Sequence, residues 1–146
     1  MEREPHDLNH KPALKLVSKG IFGKFPTYKT LLPYKFYFND KGKLAYFWIP
    51  SGFEYDGATM GSFLFWRREM HTSPYTLAHD YLYVNQGNVH ARYDEFPVTQ
   101  DSFTLSKHEA DVIFLEGARR YHNVQDWRTY IASGAFKTIS WLFWLT

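Results

Sequence analysis

The stretch over residues 73–85 constrains the fold of this chain more than any other. Ser73 can accept a backbone N–H bond as an N-cap, and Pro74 supplies a pre-set φ at the first helical position. Leu77, Ala78, Tyr81, Leu82 and Val84 then recur at helical spacing and form an apolar stripe that must face a core. On this largely apolar helix sit His79 and Asp80, residues that are costly to bury without partners. Tyr83 follows at i+4 from His79 and i+3 from Asp80, so its hydroxyl can reach the same neighbourhood. The rest of the chain is expected to hold this His–Asp pair in place.

A β hairpin is the next clearest signal. Aromatic-rich runs over residues 34–38 and 43–49 flank the turn Asn39, Asp40, Lys41 and Gly42, with glycine where a positive φ is easiest. Pro50 ends the second strand and opens a segment carrying Gly52, Gly57 and Gly61. Asp56 in that segment has two readings: a turn residue bonding its own backbone, or a charge brought towards the His–Asp helix. Residues 63–69 read as a short helical or irregular entry to the helix. Beyond Gln86, Gly87 and Asn88 no periodic pattern returns until Leu105, which predicts a long connection that covers a site, contacts a partner or is simply mobile.

A second helix is expected from Ser106, where Glu109 three residues on completes a capping box. Asp111 lies in its second turn among Ala110, Val112, Ile113 and Phe114. A carboxylate there needs either a side-chain partner or a neighbouring backbone N–H. A last helix is expected over residues 125–144, bent at Ser133 and Gly134. Its end, Trp141 to Leu145, is apolar all round, so it is expected to be buried in the core or against another chain. Residues before 34 are polar and broken by prolines, with one short strand expected at 14–17. These elements predict an α+β fold: a small antiparallel β hairpin or sheet packed against about three main helices. Residues 1–33 form an irregular N-terminal arm and residues 34–146 a single globular domain.

Composition narrows the function classes. A length of 146 residues suits one domain with a real core. Cysteine is absent, which removes disulfides and thiolate metal ligands. A net charge of +2 gives no strong field for nucleic acid, and Arg67, Arg68, Arg119 and Arg120 form only loose pairs. The N-terminus has no apolar core of a secretory signal peptide. The apolar run at 130–145 contains Lys137 and falls short of the roughly 20 residues that span a bilayer, so no membrane span is expected.

The candidate site is therefore His79, Asp80, Tyr83 and Asp111, with Asp56 as a loop contribution. A histidine between a carboxylate and a water is a general base. A second carboxylate beside it can hold a cation that polarises a carbonyl or phosphoryl oxygen. Without cysteine, an oxygen-rich calcium or magnesium site suits the chain better than a four-coordinate zinc site. Adjacent helix residues point about 100° apart, so His79 and Asp80 cannot share one ligand as an i, i+4 pair would, but both can serve one site lying along the helix flank.

The ordered motifs carry two resemblances. Ile49-Pro50-Ser51-Gly52-Phe53-Glu54-Tyr55-Asp56-Gly57-Ala58-Thr59, then Ala78-His79-Asp80-Tyr81-Leu82-Tyr83, then Ala110-Asp111-Val112-Ile113-Phe114 resemble the domain of unknown function family 1353 of phage and prophage genomes. That resemblance implies a phage origin, hence a place in the host cytoplasm during infection or in the virion, and no particular activity. His79, Asp80 and Tyr83 on one helix with Asp111 on the next also look like phospholipase A2. There, by resemblance, His79 would activate a water, Asp80 would bind calcium, and Tyr83 and Asp111 would orient the histidine. The chain departs from that superfamily in lacking its disulfides and its calcium loop. The rival expectation is a non-enzymatic virion or assembly component that docks other phage proteins, or itself, through aromatic surfaces.

Overall fold

A computed structural model describes residues 4–20, 26–56, 71–95 and 101–121, with side chains in the last segment as far as Phe114. In chain order the elements are α1 (Pro5–Leu8), β1 (Leu14–Ser18), β2 (Thr27–Thr30), β3 (Tyr34–Asp40), β4 (Lys43–Ile49), β5 (Glu54–Tyr55), α2 (Pro74–Asn85), β6 (His90–Tyr93), β7 (Phe103–Thr104) and α3 (Lys107–Tyr121). Residues 57–61, the segment at 63–69 with Arg67 and Arg68, the side chains of Arg119 and Arg120, and the helix expected over 125–144 with its apolar end lie outside the described residues.

The hairpin of β3 and β4 turns more tightly than its sequence suggests. Pairing runs from Tyr34↔Ile49 to Asp40↔Lys43, which leaves Lys41 and Gly42 as a two-residue turn. Both have positive φ, 52° and 80°, the twist that matches right-handed strands. Alternation then sorts the side chains. Phe36, Phe38, Ala45, Phe47 and Ile49 are buried on one face. Lys35, Tyr37, Tyr46 and Trp48 take the other, with the Lys35 ammonium 4.1 Å from the centre of the Tyr46 ring.

The fold is α+β, and it is richer in sheet than a single hairpin. β3 and β4 continue into β6 and β7 as a four-stranded antiparallel sheet, and β1, β2 and β5 form a three-stranded one. The connection after Asn85, expected to be a long loop, thus contributes two strands. Residues before Tyr34, expected to hold one strand, supply that strand, a second one and the helical turn α1. Their short length and nonlocal pairing leave little periodic trace in the sequence.

Both long helices begin as their caps dictate. The Ser73 hydroxyl accepts the Thr76 N–H at 3.3 Å, and Pro74 occupies the first turn. Ser106 and Glu109 form the reciprocal capping box, each backbone N–H donating to the other's side chain at 3.2 Å. Helix α2 packs on the hairpin through aromatic contacts: Tyr75 lies edge-on to Phe36, and Tyr81 stacks parallel to Phe47. It also packs against α3.

Asn9 ties the N-terminal arm to the sheet. Its amide donates to the Tyr37 carbonyl and accepts the Tyr37 N–H, both at 2.8 Å, so one side chain takes the place of a neighbouring strand. Asn9→Ala is expected to cost roughly 1–3 kcal/mol, because two backbone groups on β3 lose their partner. Chemical denaturation measures that cost, and amide exchange at Tyr37 should accelerate. An unchanged Tyr37 amide would show that the arm does not shield this edge.

Candidate functional site

The site is assembled where α2 and α3 face each other. On α2, Tyr75, His79 and Tyr83 follow at i, i+4 and i+8, so they lie along one stripe. On α3, Lys107 and Asp111 are likewise i and i+4. The Asp111 carboxylate is the common point. Its Oδ1 accepts from His79 Nε2 at 3.1 Å and from the Tyr83 hydroxyl at 2.5 Å. Its Oδ2 accepts from the Lys107 ammonium at 2.5 Å. The imidazole of His79 is enclosed between the Tyr83 ring, 4.1 Å away centre to centre, and that of Phe114 at 5.6 Å.

Electrostatics fixes the proton positions. Burial alone would raise the Asp111 carboxyl, but hydrogen bonds from His79, Lys107 and Tyr83 outweigh it and hold the group below the usual carboxylate range. An ionised carboxylate only accepts, so His79 must donate from Nε2. Burial holds the His79 pKa below its ordinary value; the attraction of Asp111 opposes this and the Lys107 charge adds to it. A neutral histidine in this bond carries its proton on Nε2.

The structure brings together His79, Tyr83 and Asp111. Asp80 is buried on another side of α2, near Tyr55. After burial itself, the Asp80 charge is the next cause that pushes the Tyr55 hydroxyl well above its ordinary pKa. Asp56 lies by His71, where it favours the protonated imidazole against a stronger lowering by burial. His71 packs against the rings of Tyr28 and Tyr55 and accepts the Tyr55 hydroxyl on its carbonyl at 3.2 Å. Among the described residues no group of three or more His, Asp or Glu side chains is arranged to hold a metal ion.

Lys107 is the member of the site that motif reading missed. Its signal was present: a lysine one helical turn before an aspartate on an apolar face is an i, i+4 ion pair.

The family model described as protein of unknown function, DUF1353, matches residues 31–135. The chain belongs to the DUF1353 family. The matched DUF1353 span contains the hairpin, α2 and α3, and therefore every residue of the His79–Asp111 network. Helix α1 and strands β1 and β2 precede it. No curated protein and no solved structure gives a significant match to this DUF1353 chain. No helix among the described residues is long and apolar enough to cross a membrane.

Proposed function

We propose that this DUF1353 protein is a phage-encoded hydrolase in which His79 is the general base, of the kind carried in a virion. One observation carries the reading: a single oxygen of Asp111 receives both His79 Nε2 and the Tyr83 hydroxyl. That is the arrangement a general base needs. The carboxylate fixes the tautomer, puts the lone pair on Nδ1, and steadies the imidazolium that forms when a water proton is taken. The same placement of histidine, tyrosine and remote aspartate underlies the resemblance to phospholipase A2, and it supports ester hydrolysis as the reaction class. Asp111 and Tyr83 are positioning residues in this scheme.

A second reading rests on a different observation. His79 has no exposed surface, and Lys107 neutralises the carboxylate from the other side. A sealed network of that kind can act purely as a staple between two helices. The protein would then be a non-enzymatic virion or assembly component, docking through surfaces such as the outer face of the hairpin, where Trp48 is 54% exposed.

His79→Gln separates the two. The glutamine amide can still donate to Asp111 but cannot take a proton. For a hydrolase, turnover of 4-nitrophenyl esters by the full chain should fall by about 10²–10⁴-fold, with the melting temperature kept within a few degrees. Equal and background-level turnover by both proteins, together with a large loss of stability in the variant, would leave the staple reading standing.

A further inference from the structure

A cleft of about 180 Å³ lies between α1, β3, α2 and α3, one helical turn along α2 from His79. Phe36, Phe38, Tyr75 and Ile113 are its buried walls, and His6 and Val112 stand exposed at its edge. The Tyr75 hydroxyl and His6 Nδ1 are 3.1 Å apart, and the two rings stack nearly parallel at 7°. Neither His79 nor Asp111 lines this space.

Three features distinguish it from a packing fault. It draws on four separate elements, and the Asn9 clamp holds one of them, the arm, against the sheet. Its apolar walls are paired with a hydrogen-bonded polar group at one end, the usual composition of a ligand site. Its size is also informative: an apolar cavity of about 150 Å³ accommodates benzene. The space is too large for a single water.

We propose that this cleft binds a small amphipathic molecule, with a benzene-sized apolar group on the walls and an uncharged oxygen at the His6–Tyr75 end. His6 bonds Tyr75 through Nδ1 and retains Nε2 as the group that meets a ligand hydroxyl or carbonyl. The inference does not depend on the hydrolase reading, because the cleft and the His79 network share no lining residue.

Benzyl alcohol is the probe, titrated into the full chain while the methyl signals of Val112 and Ile113 are followed by carbon-13 NMR. Saturable one-to-one shifts at both positions are expected. Val112 is 41% exposed, so Val112→Trp can fold with its ring over the edge, and it should weaken binding at least tenfold. His6→Ala should weaken benzyl alcohol about tenfold and leave toluene unchanged, since only the oxygen loses its partner. Methyl signals that do not move up to the solubility limit would overturn the proposal. So would binding to folded Val112→Trp equal to wild type. If that variant does not fold, His6→Ala decides: equal losses for benzyl alcohol and toluene, or none for either, would remove the proposed polar end.

Discussion

Asp111→Ala is expected to lower stability by about 3–5 kcal/mol, the range for removing one partner of a buried ion pair. Three donors depend on this carboxylate, and the exposures of their side chains set the cost. His79 is fully enclosed and the Lys107 side chain is only 8% exposed, so neither recovers its bond from bulk water. The lysine is expected to dominate, because the carboxylate that pairs with its buried ammonium is gone. A double variant tests the mechanism. Lys107→Met with Asp111→Leu removes both charges and fills the space, so it should recover most of the loss even though His79 and Tyr83 still lack their acceptor. Urea denaturation followed by circular dichroism gives both numbers. If the double variant is as unstable as Asp111→Ala, the cost lies in the hydrogen bonds of His79 and Tyr83, and Lys107 is incidental.

How much of this network could be read beforehand depended on the range of the interactions involved. The caps at Ser73 and Ser106 and the i, i+4 step from His79 to Tyr83 are local, and local rules state them directly. Asp111 was marked out by the burial of its neighbours, since a carboxylate on an apolar helix face needs a partner. The short strands β6 and β7 were not legible. His90, Ala91, Arg92 and Tyr93 show no clean alternation, and their place in the sheet is set by β4, far earlier in the chain. Strand β1 was expected at 14–17, but β2 was hidden for a similar reason: the prolines around it read as loop, while pairing with β1 and β5 is what makes it a strand.

Acid should destabilise the protein in two steps, and His79 should govern much of the first. The imidazole is held below its ordinary pKa when folded, chiefly by burial, and returns to about 6.5 when unfolded. Between those two values the unfolded chain binds a proton that the folded one refuses. Stability from this group is therefore complete above about pH 6.5 and falls as the pH drops toward the folded value, at up to about 1.4 kcal/mol per pH unit. His71 is lowered too, first by burial and against the pull of Asp56, so it adds to the same slope. Asp111 acts lower on the scale. Its folded pKa is depressed below 3.8, so its contribution is present above that value and is lost as the pH falls through the folded pKa. Urea midpoints measured from pH 8 to pH 3 should show a decline beginning near 6.5 and a second one below 4. His79→Gln should flatten the first decline to the part owed to His71 while leaving the second in place. A wild-type curve that is level between pH 6.5 and 5 would mean that His79 takes up its proton as easily in the folded chain as in the unfolded one. The neutral, Nε2-protonated imidazole on which the general-base reading depends would then be wrong.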